Sequence, residues 1–285
     1  DVKLNDNTSI GLSRARTESL VTAYHKKHLK YITHLKGISG GKIHALNTLY
    51  EQSKSADVII LLDADIRIYD KNTLNLLIKD IVDDHYYVSS AFVKVVENRY
   101  PWLFNIMARI YNKRLPSRYS IARYVNGRLN SFSNKHLLDI YKKYNQLIPG
   151  NVFLDDMFLG IHTPWKKIKM NKNAIAYMLY YSNLKDYVNF KIAKQIGSIQ
   201  LEELYPKLFK KRKKEFKLNN LNSISSTSTG DESNLKYSII EKFIAFLEKR
   251  VLRFIAEYTA TNLYYLNMRK THAQTNTRLS TKERI

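Results

Sequence analysis

Two aspartates follow a run of apolar residues in the stretch ADVIILLDADIRI, which begins at Ala56. Residues 58–62 are typical of a buried strand, and Asp63 and Asp65 come directly after it. In an extended chain, side chains at positions i and i+2 share a face, so we expect the two carboxylates to point the same way. Such a pair either forms an acidic turn after the strand or holds a divalent cation through hard oxygen ligands.

Three further stretches contain residues suited to the same chemistry. GGKIHALN begins at Gly40, and its glycines allow the backbone to approach a ligand while Lys42 supplies positive charge. VNGRLNSFS begins at Val125 and contains the Asn-Gly pair of a tight turn. LDDMFLG begins at Leu154 and has two adjacent acids at a predicted helix start, where the helix dipole favours carboxylates. Each stretch alone is more typical of a structural role, and only their order and spacing indicate a common site.

The elements that would position these residues alternate between strand-like and helix-like patterns. We predict strands over 2–4, 29–35, 58–62, 86–93 and 122–132, and helices over 12–27, 42–53, 72–82, 100–113, 134–144 and from residue 151. This alternation predicts an α/β fold with a mostly parallel sheet and helices on both faces. Ligands of such sheets bind at the carboxyl ends of the strands, where Asp6, Asp63 and Asp65 would lie.

The composition of the chain changes after residue 205. PKLFKKRKKEFK is strongly basic, and the polar stretch NNLNSISSTSTGDESN that follows cannot form a core. We therefore predict a main domain over 1–217, a linker over 218–234, and a basic amphipathic helix with a polar tail over 235–285. Apolar residues recur at helical spacing between Ile239 and Tyr258, with basic residues among them. Such a helix either binds an anionic membrane surface or packs back on the main domain.

The composition is that of a basic globular chain. Its 285 residues carry a formal net charge of +22, which predicts attraction to nucleic acid, an acidic membrane surface or phosphorylated ligands. The sequence contains no cysteine, which excludes disulfides and cysteine-based zinc sites. It has neither a signal peptide nor a run approaching the roughly 18 apolar residues of a membrane span. We expect a cytoplasmic protein that lies peripherally at the membrane. Because Asp1 falls inside a strand-like segment, we also expect that the N-terminal strand is missing from this sequence.

The order of these motifs resembles that of the family 2 glycosyltransferases, inverting enzymes that use sugar nucleotides. The stretch DNTS over 6–9 matches the acidic turn after a strand in that family, and GKIHALN over 41–47 matches its Gly-Lys-x-x-Ala-Leu-Asn run. The stretch DAD over 63–65 matches its metal motif. Gly127 is similar to the glycine before the acceptor region, and the pair at 155–156 to the Glu-Asp pair that carries the base, with aspartate in place of glutamate. A later strand pattern is only loosely matched by KKIKMNKNAIAYM, and the resemblance covers residues 2–200.

For the donor, the resemblance implies a nucleotide-diphosphate sugar bound in an α/β GT-A (Rossmann-like) fold, to which a C-terminal amphipathic helix is added. Asp63 and Asp65 would hold a divalent cation, Mn²⁺ or Mg²⁺, under the diphosphate, and Lys42 would add to the local positive charge. Asp6 would accept a hydrogen bond from the nucleotide base. The donor site would therefore use the ends of two strands and the start of one helix.

For the acceptor, the resemblance implies binding near Gly127, while the expectation of a glycan or lipid-linked molecule rests on the interpretation of the C-terminal helix as membrane-binding. Asp156 would be the general base that takes the proton of the acceptor hydroxyl, and Asp155 would position the acceptor or orient its neighbour. The Gln-x-x-Arg-Trp motif of processive synthases is absent, and NFKIAKQIG, which begins at Asn189, occupies that region. The sequence therefore favours transfer of a single sugar.

Two other classes of function fit single features of the sequence. An Asp-x-Asp after an apolar strand is also the nucleophile loop of HAD-type phosphatases, but those need a Thr or Val soon after the second Asp, where this chain has Ile66 and Arg67. The net charge and the basic run would suit a nucleic-acid-binding protein. No RRM, KH, zinc-finger or helix-turn-helix signature accompanies them, so we expect no nucleic-acid partner.

Overall fold

The computed structural model describes residues 41–97, 101–121, 125–181, 183–215, 238–252 and 254–265. The strands predicted over 2–4 and 29–35, the helix predicted over 12–27 and the site residue Asp6 lie outside the described residues, as do the predicted linker and the polar tail.

The described strands form one five-stranded sheet in the order β1-β4-β3-β5-β2. Their bounds are Val58–Leu62 for β1, Ile66–Arg67 for β2, Val88–Val95 for β3, Leu129–Ser133 for β4 and Ile168–Met178 for β5. Only β3 and β5 pair in parallel, whereas β4 is antiparallel to both β1 and β3, and β2 is antiparallel to β5. The prediction of a mostly parallel sheet was therefore wrong, because the chain enters β4 from the end opposite to that of β1, β3 and β5.

Helices cover both faces of this sheet, as predicted. Their bounds are Gly41–Ser53 (α1), Asn72–Val82 (α2), Trp102–Ile121 (α3), Asn134–Tyr144 (α4), Asp155–His162 (α5), Leu184–Leu204 (α6), 206–215 (α7), Ile239–Leu247 (α8) and 254–265 (α9). A π-helical turn over Glu248–Leu252 follows α8. The predicted bounds of α2 and α4 are confirmed, but α5 begins at Asp155 rather than at residue 151. Within the described residues, no helix is long and apolar enough to cross a membrane.

The two largest apolar clusters lie on opposite sides of the sheet, and a third joins α3 and α6 to the buried Ile244 of α8. The first joins α4 and α5 to β1 and β4, with Phe132, Leu137 and Phe158 fully buried. The second joins α2 to β3 and β5 around Leu77 and Val93. The start of α1 and the start of α5 therefore lie on the same face of the sheet, close to where β1 ends.

Stability should fall in mild acid because of the buried residue His136 on α4. Its Nε2 lies 2.9 Å from Thr163 Oγ1, its ring stacks on Tyr87, and burial lowers its pKa to about 4. The unfolded chain binds this proton near pH 6.5, so the unfolded state holds more protons than the native state between these two values. We expect the free energy of unfolding to decrease by about 3 kcal/mol as the pH falls through this window.

Urea denaturation at a series of pH values measures this effect. We expect the slope of the unfolding free energy against pH to be smaller in the His136→Gln variant over the same window. The difference in slope should correspond to about one bound proton. Equal slopes in the variant and the wild type would show that another group causes the acid sensitivity.

Candidate functional site

A cavity of about 210 Å³ opens between the start of α1, the end of β1, the turn before β4 and the start of α5. Its lining includes five residues that the sequence predicted for the site, which are Lys42, Asp63, Gly127, Asp155 and Asp156. Elements far apart in the chain thus bring one ammonium group and three carboxylates to a single cavity.

Lys42 joins two of these carboxylates. Its Nζ lies 3.1 Å from Asp63 Oδ1 and 3.2 Å from Asp155 Oδ2. Burial lowers the pKa of Lys42, but Asp155 and Asp63 together outweigh it, so the pKa of the ammonium lies above its ordinary value. The lysine is therefore charged throughout the neutral range, and it ties the end of β1 to the start of α5.

Asp156 lies against the glycine of the turn before β4. Gly127 has φ of +65°, and a Cβ there would lie 2.6 Å from Asp156 Oδ2, so only glycine allows the carboxylate this close to the backbone. The N–H of Met157 donates to Asp156 Oδ1 at 2.8 Å. Burial raises the pKa of Asp156, the charge of Asp155 raises it further, and Lys194 opposes both. Asp156 is thus a carboxylate whose environment favours taking up a proton.

Two asparagines fix the turn that holds Gly127. Asn126 Oδ1 accepts hydrogen bonds from the N–H of Arg128 at 2.9 Å and of Leu129 at 3.1 Å, while Asn126 Nδ2 donates to the carbonyl of Ala91 on β3. The N–H of Asn126 donates to Asn130 Oδ1. The side chain of Asn126 therefore provides the turn with local hydrogen bonds and anchors it to the middle of the sheet.

The Asp-x-Asp stretch is a turn, not an extension of β1. Strand β1 ends at Leu62, and the N–H of Ile66 donates to the carbonyl of Asp63 at 3.1 Å. The expectation that Asp63 and Asp65 share one strand face therefore fails, because the chain reverses between them into β2. Asp63 is half-buried and lines the cavity, while Asp65 is exposed. Burial raises the pKa of Asp63, and Lys42 opposes this effect.

The described residues contain no group of three or more His, Cys, Asp or Glu side chains arranged to hold a metal ion by themselves. Asp63 and Asp65 remain close enough for the charge of Asp65 to raise the pKa of Asp63. The cavity therefore offers carboxylate oxygens at its β1 edge, but a cation bound there would need ligands in addition to those of the described residues.

The end of the predicted GKIHALN run has a structural role. Asn47 Nδ2 donates to the carbonyl of Ile148 at 2.8 Å, and Asn47 Oδ1 accepts from the N–H of the same residue at 2.9 Å. This pair of bonds fastens α1 to the segment between α4 and α5. Asn47 thereby holds the helix that carries Lys42, whereas Lys42 itself faces the cavity.

Two residues that the sequence did not predict hold α5 from either end. Gly197 of α6 packs directly on Leu154, so closely that a Cβ at this glycine would overlap the leucine side chain. Arg212 of α7 donates through Nη2 to the carbonyls of Gly160 and Thr163 at the carboxyl end of α5. These contacts fix the helix whose first residues are Asp155 and Asp156, and the guanidinium also complements the negative end of its dipole.

Comparison with solved structures finds proteins of similar fold. No family model and no curated protein matches the chain. Its fold is similar to that of the mannosyltransferase PcManGT from Pyrobaculum calidifontis, a structure in complex with GDP-Man and Mn²⁺, with 14% sequence identity and a TM-score of 0.49. The match covers 88% of this chain and 74% of the mannosyltransferase. At this identity and TM-score, the likeness does not assign a function to the present chain.

Proposed function

We propose that the chain is an inverting glycosyltransferase of the family 2 type, with a GT-A-like catalytic domain. It transfers a single sugar from a nucleotide-diphosphate sugar to a hydroxyl group of a glycan or lipid-linked acceptor. The observation that carries this proposal is the cavity in which Lys42, Asp63, Asp155 and Asp156 meet beside Gly127. A cation beside carboxylates suits an anionic donor, and a carboxylate with a raised pKa suits proton transfer.

Asp156 is the general base of the proposed reaction. The acceptor oxygen attacks the anomeric carbon, the bond from that carbon to the donor phosphate breaks, and Asp156 takes the hydroxyl proton. Its burial and the neighbouring charge of Asp155 raise its pKa, which strengthens it as a proton acceptor. Since attack and departure occur on opposite faces of the sugar, the anomeric configuration inverts.

Lys42 and Asp63 serve the diphosphate side of the same reaction. The ammonium of Lys42 is about half exposed, so it can contact a phosphate oxygen while it remains near Asp155. Asp63 and Asp65 would hold the divalent cation, Mn²⁺ or Mg²⁺, together with diphosphate oxygens, a ligand set that such cations commonly use. When bound, such a cation would neutralise the charge that develops on the leaving group. Asp6 remains the proposed contact to the nucleotide base.

Calorimetric titration of UDP and GDP into the full chain, with and without Mn²⁺, tests the donor side. We expect one nucleotide to bind in a metal-dependent manner and the Asp63→Ala/Asp65→Ala variant to bind it roughly ten- to hundredfold more weakly, as loss of charged contacts implies. Asp83→Ala removes an exposed aspartate at the end of α2 and is the matched control, with unchanged affinity. Failure of both nucleotides to bind under either condition would overturn the proposal.

A further inference from the structure

An unusually apolar surface covers the C-terminal helical segment, residues 238–265. Helix α8 begins with a capping box in which the N–H of Glu241 donates to Ser238 Oγ and the N–H of Ser238 donates to Glu241 Oε2. The large apolar side chains that face solvent, with exposed fractions, are Ile239 85%, Ile240 52%, Phe243 61%, Phe246 58%, Phe254 68% and Tyr258 66%. We call this set the outer apolar face. Several large apolar side chains exposed on one short segment mark a candidate interaction site.

The opposite side of the same segment attaches to the main domain through an apolar cluster around the buried Ile244 and through polar contacts. Glu241 is buried and binds Lys113 Nζ at 2.8 and 2.9 Å. Burial raises the pKa of the Glu241 carboxyl, but Lys113 lowers it by more, so the pKa lies below its ordinary value. Glu248 pairs with Arg114 at 3.3 Å and accepts a hydrogen bond from Tyr187 Oη at 2.5 Å. These ion pairs orient the segment, because turning the apolar face inward would break them and leave buried charges unpaired. The segment therefore has apolar side chains on two sides, one packed on the main domain and one facing solvent, whereas an ordinary surface helix exposes a polar side.

Exposed basic side chains lie on the same segment and on α7. Lys242 and Arg250 are exposed on the segment itself. Tyr264 Oη donates to Glu203 Oε2 at 2.6 Å, and Lys213 pairs with the adjacent Glu202 at 2.9 Å, so α9 and α7 lie beside the same end of α6. Helix α7 adds further exposed lysines, which are Lys207, Lys210, Lys211 and Lys214.

We propose that the outer apolar face lies on an anionic lipid surface, with its aromatic side chains in the interface and the exposed lysines and arginines of the segment and of α7 near the headgroups. Apolar surface alone would suit many partners, but its combination with exposed basic residues and a net charge of +22 matches anionic lipid. The ion pairs to α3 and α6 then fix the main domain relative to the membrane. This inference goes beyond the proposed sugar transfer and concerns other residues.

Co-sedimentation of the full chain with vesicles tests the proposal. We expect binding to vesicles of phosphatidylcholine mixed with phosphatidylglycerol and much weaker binding to phosphatidylcholine alone. Binding should weaken between about 0.1 and about 1 M salt, where the Debye length shortens from about 10 to about 3 Å. The Phe243→Gln/Phe246→Gln/Phe254→Gln variant should partition at least about a hundredfold less, since three exposed aromatic side chains no longer insert.

Controls separate this result from misfolding and from other partners. Tyr69→Gln/Val82→Gln removes exposed apolar side chains of other elements and should bind vesicles like the wild type. Thermal unfolding of each variant reports whether the fold is intact. Wild-type protein that does not bind anionic vesicles, or a Phe variant that binds them unchanged, would overturn the proposal. A wild-type dimer that the Phe substitutions dissociate, without vesicle binding, would assign the face to a second copy, and salt-dependent RNA binding without vesicle binding would assign the basic surface to nucleic acid.

Discussion

Asp156→Asn is expected to lower the rate of sugar transfer by about 10²–10⁴-fold, the usual contribution of a general base. Asparagine keeps the shape of the side chain beside Gly127 but cannot take the acceptor proton. The nucleotide affinity should change little, because the proposed donor contacts belong to Lys42 and Asp63 and not to Asp156. Single-turnover kinetics with saturating donor measures the chemical step apart from binding. Asp83→Asn is the control, and full activity in Asp156→Asn would exclude this residue as the base.

The pH dependence of activity and of stability gives a second, independent test of Asp156 as the general base. Burial and Asp155 raise the pKa of Asp156, so the acid limb of kcat/KM in the wild type should lie above the pH at which an ordinary aspartate titrates. The native state also binds this proton more tightly than the unfolded state, and stability is therefore lost as the pH rises through the raised pKa. Asp156→Asn should accordingly be more stable than the wild type at neutral pH, with a smaller difference in acid. A lower activity together with a higher stability is not expected of a merely damaged fold.

The sequence predicted local elements better than their arrangement. Helices α2 and α4 have clear apolar periodicity, and their predicted ends agree with the structure. The direction of β4 was not predictable, because an alternation of helix and strand patterns contains no information about which end of the sheet a strand enters. Strand β5 is long and contains a register shift opposite Ala91 and Phe92, so its sequence lacks the simple period of a short strand.

The candidate site shows the same division between local and tertiary information. Lys42, Asp63, Gly127 and the pair Asp155-Asp156 belong to short motifs, and motif order alone was enough to group them. Gly197 and Arg212 act through contacts between helices distant in the chain. A glycine in the middle of a long helix was a usable signal for Gly197, since it costs stability unless something packs closely there. Arg212 is one of many basic residues in its run, and no local feature distinguishes it.

Gly127→Ala should damage both stability and catalysis. The backbone there is left-handed, which costs about 1–2 kcal/mol for alanine, and the new methyl group meets the Asp156 carboxylate. A displaced base should lower kcat by roughly a hundredfold, as misplacement of about 1 Å commonly does. Gly41→Ala is the matched control for stability, because φ is also positive (+85°) but the added Cβ meets no described atom within 4 Å. Gly150→Ala adds a methyl group without either penalty and should stay within about 0.5 kcal/mol of the wild type.

A double-mutant cycle between positions 127 and 156 separates backbone strain from the contact. Asp156→Ala removes the Oδ2 and Cγ atoms, which would lie 2.6 and 2.9 Å from the new Cβ, and leaves the Asp156 Cβ at 3.1 Å. In that background, Gly127→Ala should cost less free energy of unfolding than in the wild type, with a coupling energy in the range of about 0.5–3 kcal/mol. Additive effects would mean that only the backbone conformation requires glycine. Coupled effects would show that Gly127 is glycine so that the carboxylate of Asp156 can lie against the turn, which is the placement that the proposed base needs.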